Sequence, residues 1–350
     1  MPDKLNTGIQ RVGNSPEHAA AWNCYVDSSA FASFYHRFEW KSVTEREFGH
    51  ETFYLASVTG GQIDGVFPLV LIRSRLFGRI LCSLPFVNFC GPAANSESVT
   101  RELLAAACDI ARDNRVDYFE IRSLQICDND LPRSESKVSM TIPLVKDSDE
   151  IWNAFTSKHR NNIRRAYKTG IEVRSGGLDL LDDFYDLLSK SWRDHGTPVY
   201  RKRYFETIIR ELGEHVTIFV AYKDGIPIST AFNGKNRGTV EGMWAGSPAE
   251  FRRLQSNYVL YWEMIKAACE EGYEQFHLGR SSVESGGESF KKKWCADTSQ
   301  LYWQYFLPKP GPLPELNVGN PKFSLAISTW RKLPLAVTQW VGPLIARSIP

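Results

Sequence analysis

The chain has 350 residues, of which 43% are apolar and 13% aromatic, and its formal net charge at pH 7 is +2. A chain of this length has room for about two domains, and its apolar fraction excludes disorder throughout. The near-zero charge excludes a global field that would wrap a nucleic acid, so we expect no DNA partner and only local contacts with RNA. The seven cysteines include no CxxC pair, so the sequence predicts neither a metal site nor a disulfide framework.

The cellular location is indicated by two segments. The first residues, MPDKLNTGIQRVGNSPEHA, contain no apolar signal segment. The longest weakly polar stretch, residues 333–346, contains two prolines and is too short to span a bilayer. We therefore expect a cytoplasmic protein, with a peripheral position at the inner membrane as the alternative.

The two halves of the chain repeat one order of predicted elements. In the first half, β-rich runs at 52–58 and 66–73 flank an Asp-Gly turn, which predicts a hairpin. In the second half, the runs at 216–222 and 226–232 flank another Asp-Gly turn. The two turns lie about 160 residues apart.

A helix and a third strand follow each hairpin. Ala105–Cys108 belong to a predicted helix that leads into the strand VDYFEIRS (116–123), and Ala267–Cys269 end a helix that leads into EQFHLGRS (274–281). The steady offset predicts a duplicated α/β module rather than a short solenoid repeat. The alternative is a chance similarity between two ordinary α/β domains.

The boundary between the modules is predicted near residue 145. The strand KVSMTIPLV (137–145) ends there, and Asp147–Glu150 have the pattern of a helix cap with acids in the first turn. We therefore expect a first module at 1–145 and a second at 146–307. Residues 308–350 begin with a proline-rich linker and continue as a helical tail, expected to dock on the first module.

A basic helix is predicted in SKHRNNIRRAYKTG (157–170). Arg160, Arg164 and Lys168 are spaced at i, i+4 and i+8, so they share one helix face. Such a face suits contacts with the phosphates of a tRNA acceptor end. A solvated helix face is the alternative.

The segment FHLGRSSVESGGESFKKKW (276–294) is the strongest candidate for a site. Its apolar run ends at Gly279-Arg280, a Ser/Gly loop follows, and an aromatic residue with three lysines comes next. This order suits an anionic or polarised ligand, whereas a surface turn before a solvated basic helix is the alternative. Tyr258 is a further candidate because it lies in the first turn of a predicted helix beside the sheet opening. His195 lies in a loop and is not assigned as a base.

The order helix, hairpin, third strand, long helix and further strand resembles the GNAT acyltransferase module. The resemblance implies an α/β (α+β) fold of tandem GNAT-like (acyl-CoA N-acyltransferase) modules, each a twisted, mostly antiparallel sheet flanked by helices. GNAT enzymes hold acyl-CoA on a glycine-containing loop before the long helix. The corresponding residues here, Arg252–Asn257, contain no glycine, which counts against coenzyme A.

The second half also resembles the FemAB family of peptidyltransferases, which move an amino acid from aminoacyl-tRNA onto a cell-envelope precursor. The matching stretches are residues 156–176, 194–205, 257–265 and the segment FHLGR…SFKKKW, in which Phe290-Lys291 is the most specific pair. The whole chain is similar to the FemAB-like branch associated with exosortase/PEP-CTERM loci and exopolysaccharide clusters. That branch implies a BioF2-like acetyltransferase domain in the second half.

The resemblance implies roles for individual residues. Lys291, placed by the aromatic wall of Phe290, would stabilise the tetrahedral oxyanion of acyl transfer. Arg280, Ser281 and Glu284 would hydrogen-bond the acceptor. Arg201 and Lys41 would bind acceptor phosphates, and Tyr258 would contact substrate. The family's FK-x-x-F-G reads FKKKWCA here, with Trp294 and Cys295 in the last two places, so substrate identity does not carry over.

Three functions are open at this stage. The first is an aminoacyl or acyl transferase acting on an envelope or exopolysaccharide precursor, with no tightly bound cofactor and with aminoacyl-tRNA or acyl-CoA as donor. The second is an acyl-CoA-dependent GNAT N-acetyltransferase. The third is a noncatalytic module that binds polysaccharide intermediates and touches the membrane through the tail 330–347, where tryptophans and cations flank apolar residues. No Ser/His/Asp triad is evident, so a ternary complex without an acyl-enzyme is the simplest scheme.

Overall fold

Two units of mixed α/β structure make up the chain. The computed structural model describes residues 5–75, 77–314 and 324–350. Over these residues, the first unit comprises the chain up to Val138 together with Gln300–Pro314 and Ser348–Pro350. The second comprises Ser139–Ser299 and the described part of Glu315–Arg347. The division falls inside a strand, before the boundary predicted near residue 145.

The elements up to this division are β1 (Gly8–Arg11), α1 (Pro16–Ser28), α2 (Glu39–Phe48), β2 (Glu51–Thr59), β3 (Gln62–Ser74), β4 (Gly78–Ser83), β5 (Ala93–Ala94), α3 (Glu97–Asp113), β6 (Tyr118–Ser123) and β7 (Arg133–Pro143). The sheet of the first unit has the order β1-β2-β3-β4-β6, with β5 paired to β3. All its described pairings are antiparallel except that of β4 with β6, which is parallel.

The later elements are α4 (Ser148–Ala154), α5 (Ser157–Tyr167), β8 (Ile171–Gly176), α6 (Leu181–His195), α7 (Lys202–Leu212), β9 (Val216–Lys223), β10 (Ile226–Asn236), β11 (Thr239–Gly246), α8 (Ser256–Glu270), β12 (Gln275–Ser282), α9 (Gly286–Lys291), β13 (Asp297–Phe306), α10 (Ser324–Trp330) and α11 (Leu335–Ala346). In the second unit the strand order is β7-β12-β11-β10-β9-β8, and β11 pairs with β12 in parallel. Strand β13 follows α9 in sequence, but it pairs with β6 in antiparallel register.

Both predicted hairpins are confirmed. They are β2–β3 and β9–β10, and the second turns at the predicted Asp224-Gly225 pair. The first turns at Gly60 and Gly61, which supply the positive φ, so the Asp64-Gly65 pair predicted to form that turn lies within β3 instead. The predicted helix cap before the second module is confirmed as well, because the Asp147 side chain accepts the Asp149 N–H at the start of α4. The sequence thus specifies the duplicated framework at the level of local elements.

A short parallel pairing marks the same place in each unit. In the second, β11 and β12 pair only over Thr239–Glu241 and Gln275–His277, although both strands continue. In the first, β4 and β6 pair over Ile80–Cys82 and Tyr118–Glu120. In each unit the parallel pairing ends before the strands do, and the end of this pairing is called the opening. In the second unit, β12 continues beyond it towards the FKKKW segment.

The tail does not pack as predicted. Helix α11 lies in the second unit and packs against α6 instead of docking on the first module. The backbone of α11 lies close to that of Val199 at Gly342, because a Cβ on Gly342 would lie 3.0 Å from the backbone N and O of Val199. Trp330 is buried, and Arg331 donates to the carbonyl of His195 at 3.3 Å. Among the described helices, none has the length and apolar character needed to cross a bilayer.

Candidate functional site

The site is built where β12 ends and α9 begins. Gly279 has a φ of +77°, a conformation that glycine adopts without strain and that turns the strand away from its extended path. Three residues separate the end of β12 from the start of α9, which is capped by Ser285, whose side chain accepts the Glu288 N–H. Lys291 is the last residue of α9, so the helix carries its side chain back towards the end of the strand.

Lys291 is held by two backbone carbonyls. Its Nζ donates to Gly279 O at 2.7 Å and to Arg280 O at 2.9 Å. An ammonium group has three N–H donors, so one remains for a ligand. The lysine is thus fixed as a donor at the sheet opening, which a solvated lysine of a basic helix would not be.

Burial, with a smaller contribution from the nearby Arg280 guanidinium, lowers the pKa of Lys291 from its ordinary value of 10.5 to about 7. Removing an ammonium from water penalises its charged form, and a second cation adds repulsion. A negative charge that develops on a ligand would favour the protonated lysine. Hydrogen bonds from an ammonium to an anionic acceptor are stronger than those to a neutral carbonyl.

Phe290 belongs to an aromatic cluster that packs α9 onto α8. Its ring centroid lies 5.3 Å from that of Tyr261 and 5.8 Å from that of Tyr258. Trp294 is fully buried and stacks on Tyr261 at 5.7 Å. This cluster anchors the helix that carries Lys291, which supports the predicted placing role of Phe290.

Tyr258 connects this cluster to α5. Its ring lies 5.5 Å from the imidazole of His159, and its hydroxyl accepts a hydrogen bond from Asn162 at 3.4 Å. His159 is buried against Trp294, and burial lowers its pKa to about 4, with a smaller contribution from the Lys293 ammonium. His159 is therefore a neutral packing residue near pH 7. Tyr258 is half-buried at the edge of the cluster.

The residues predicted to bind the acceptor lie at the end of β12 and in the loop before α9. Arg280 is partly buried, Ser281 is buried, and Glu284 is exposed with a φ of +58°. Glu288, which the sequence analysis overlooked, accepts the Glu284 N–H at 2.5 Å and forms an ion pair with Lys292 at 2.7 Å. These contacts lower the pKa of Glu288, with the Lys292 bond as the larger cause. Glu288 therefore fixes the loop that leads into α9.

A buried polar chain that the sequence analysis did not recognise crosses three strands below the opening. The Ser139 hydroxyl contacts His277 Nε2, and His277 Nδ1 lies 2.7 Å from Glu241 Oε2. All three residues are buried. The arrangement is a Ser-His-Glu chain, and His277 lies two residues before Gly279. Its members come from β7, β11 and β12, which lie far apart in sequence, so no local pattern indicates that they meet.

The basic residues of α5 do not form one free face. Arg160 donates to the carbonyls of Asn153 and Phe155 at 2.9 and 2.8 Å, so it caps the end of α4. Arg164 is exposed and lies 5.3 Å from the ring of Trp152, and Lys168 is exposed at the helix end. The helical spacing was predicted correctly, but the preceding helix end attracts the first cation to its carbonyls.

Two further predicted substrate contacts lie away from α9 in sequence. Arg201 is exposed and precedes the first turn of α7. Lys41 is buried in α2 of the first unit, where its ammonium pairs with Glu45 at 2.6 Å. Any phosphate bound by Lys41 would compete with that carboxylate.

The start of α8 occupies the place of a GNAT donor loop. Gln255 precedes the helix with a φ of +54°, and no side chain among the described residues caps it. The Ser256 hydroxyl is buried without a hydrogen-bond partner in the described structure. Arg165 donates to Gln255 at 3.0 Å. Within the described ranges, no three His, Cys, Asp or Glu side chains are grouped to hold a metal ion.

Similarity to known proteins agrees with this geometry. Residues 157–292 match the family model described as Acetyltransferase (GNAT) domain. The UDP-N-acetylmuramoylpentapeptide-lysine N(6)-alanyltransferase of Weissella viridescens is 26% identical over 175 residues, which are 48% of this chain and 52% of that protein. The chain thus spans about half the length of this curated relative.

Solved structures share the fold over most of the chain. The crystal structure of FemX superposes with a TM-score of 0.63 and 16% identity over 85% of this chain and 97% of FemX. A tandem GNAT protein from the clavulanic acid biosynthesis pathway gives a TM-score of 0.54 and 11% identity over 87% and 100% of the two chains. Residues 157–292 are therefore similar to the GNAT acetyltransferase domain, and the chain resembles the Weissella viridescens alanyltransferase in sequence and FemX in fold.

Proposed function

We propose that the protein transfers an aminoacyl group from aminoacyl-tRNA to an amine of a cell-envelope precursor, with Lys291 stabilising the tetrahedral oxyanion. The observation that carries this proposal is the Lys291 Nζ, held by the carbonyls of Gly279 and Arg280 with one donor left over. The relative with a matching sequence is named as an alanyltransferase of a peptidoglycan precursor.

In the proposed reaction, the acceptor amine attacks the ester carbonyl of the donor, which forms the C–N bond and turns the carbonyl oxygen into an oxyanion. The oxyanion then collapses, the ester C–O bond breaks, and the ester oxygen leaves with the proton that the amine loses. The third N–H of Lys291 would point at that oxyanion in the transition state. A fixed donor of this kind is typically worth ~3 kcal/mol, a rate factor of about a hundred or more.

The roles of the surrounding residues are part of the proposal. Arg280, Ser281 and Glu284 line the loop through which an acceptor would reach Lys291. Arg201 and Lys41 would hold acceptor phosphates, and Tyr258 would contact the donor beside the aromatic cluster. Arg164 and Lys168, exposed on α5, would contact the tRNA acceptor end, whereas the contacts of Arg160 with α4 favour a structural role.

An acyl-CoA donor is the second candidate. It is favoured by the match of residues 157–292 to the GNAT domain model. Against it stands the sequence before α8, because Arg252–Asn257 lack the glycines that let backbone amides converge on a pyrophosphate. An exopolysaccharide intermediate is the alternative acceptor. The third candidate function is noncatalytic binding of polysaccharide intermediates.

Donor and acceptor are tested together in one experiment. The protein is incubated with Ala-tRNA or acetyl-CoA and with UDP-N-acetylmuramoyl-pentapeptide or an amino sugar polymer, and products are identified by mass spectrometry. We expect an alanyl adduct of the pentapeptide from Ala-tRNA. An acetylated product formed from acetyl-CoA alone would replace the proposed donor, and the absence of any product with every pair would favour the binding module.

A further inference from the structure

The tail helix α11 has its apolar residues on the outside. Thr338, Gly342 and Ala346 are buried against the second unit. On the opposite face, Val337, Trp340 and Leu344 are 39%, 75% and 49% exposed. These three positions are spaced at i, i+3 and i+7, so they form one stripe along the helix. A soluble helix normally shows the reverse order, with the polar face outside.

The preceding helix carries a further exposed apolar residue. Leu325 in α10 is 77% exposed, which makes it the most exposed large apolar residue in the described chain. The turn between the two helices contains the exposed cations Arg331 and Lys332. Single exposed apolar residues need no explanation, but three that share one face of α11 favour an interaction surface.

Charge identifies the partner. Residues 316–350 contain no Asp or Glu, while Arg331 and Lys332 precede α11 and Arg347 follows it. Cations at both ends of an apolar stripe with an exposed tryptophan match the headgroup and acyl regions of an anionic bilayer. A protein partner would require acidic groups placed opposite those cations, and nothing in the tail itself specifies such a pattern.

The length of α11 allows it to lie on a membrane but not to cross one. Helix α11 runs from Leu335 to Ala346, which at 1.5 Å per residue is about 18 Å, well short of the hydrocarbon thickness of about 30 Å. We propose that α10 and α11 form an interfacial anchor that lays Val337, Trp340, Leu344 and Leu325 on an anionic membrane surface. This inference does not depend on the proposed transfer reaction, because the surface is separate in sequence from Lys291.

Vesicle binding tests the anchor on the full chain without any donor or acceptor. The protein is sedimented with vesicles of phosphatidylethanolamine and phosphatidylglycerol or of phosphatidylcholine alone, and Trp fluorescence is recorded. We expect binding to the anionic vesicles with a blue shift, weakened by salt. Trp340→Ser with Leu344→Ser should abolish most of the binding, and Lys332→Gln should weaken it about fivefold.

Ile226→Ser is the matched control, since Ile226 is 57% exposed on β10 outside the tail. It should bind vesicles as the unchanged protein does. Circular dichroism melting establishes that each variant is folded. The proposal is overturned if the unchanged protein does not bind anionic vesicles, if the double variant binds equally well, or if the stripe instead supports a dimer that Trp340→Ser dissociates.

Discussion

Equivalent strands in the two units end in different ways. In the first unit, β6 continues past its parallel pair into Arg122, which forms an ion pair with Glu120 at 2.6 Å and lies 4.4 Å from the ring of Trp303. In the second, β12 continues past His277 into Gly279, and the carbonyls there turn towards Lys291. In the first unit this place holds the buried Glu120–Arg122 ion pair, whereas in the second unit it holds Lys291.

The difference shows how a duplicated framework can keep chemistry in one copy. Both units conserve their element order and the short parallel pair within this chain. What differs is a glycine with positive φ after the pair and a helix that returns a lysine to it. In the first unit, β6 passes through a loop to β7 with no helix between them.

Replacing Arg122 with Leu gives the largest expected effect on stability. The change leaves the Glu120 carboxylate buried without its partner, and such losses typically cost about 3–5 kcal/mol in unfolding free energy. Urea unfolding measures it. The double change to Glu120→Leu and Arg122→Leu should recover most of the loss. If Arg122→Leu folded but lost all transfer activity, the Glu120–Arg122 ion pair would have more than a structural role.

Replacing His277 with Leu should have a smaller effect in the second unit. The substitution leaves Ser139 and Glu241 without the imidazole that joins them, and an unsatisfied buried polar group costs about 1–3 kcal/mol. The change in urea midpoint reports this cost. If His277→Leu were as stable as the unchanged protein, the Ser-His-Glu chain would not be what holds β12 beside β11.

Stability should depend on pH through Lys291. Its pKa is about 7 in the folded protein and about 10.4 in an unfolded chain, so the unfolded state binds more protons between these values. Stability therefore rises with pH across this window, and the cost of burying the charge is fully present below pH 7. The melting temperature of the unchanged protein should rise relative to Lys291→Met between pH 7 and pH 9. Parallel melting curves would refute the buried position of the ammonium.

Replacing Glu288 with Ala should have the smallest effect. It removes the acceptor for the Glu284 N–H and the partner of Lys292. We expect increased proteolysis in the loop before α9 and a several-fold decrease in transfer rate. Glu284→Ala keeps the backbone N–H and serves as the control for proteolysis of the loop, not for the transfer rate.

The sequence predicts the local elements well and the site in part. The hairpins, the cap at Asp147 and the basic helix follow from patterns within a few residues, which is why they agree with the structure. The placement of α11 against Val199 and the contacts of Arg160 with α4 depend on the approach of distant backbone, which no local pattern encodes. Ser139, Glu241 and His277 are joined only by sheet pairing. Lys291 was predicted from the Phe290-Lys291 pair, but the sequence does not show that the carbonyls of Gly279 and Arg280 hold it.

The proposed role of Lys291 in stabilising the oxyanion is best tested by the transfer rate of Lys291→Met. Single-turnover alanyl transfer is measured for this variant and for Lys293→Met, whose lysine lies two residues further on and is exposed. If Lys291 stabilises the oxyanion, we expect Lys291→Met to lose about a hundredfold or more in transfer rate. Its melting temperature at pH 7 should be unchanged or higher. Lys293→Met should transfer at a near-normal rate. Full activity of a folded Lys291→Met protein would contradict the proposed role of Lys291.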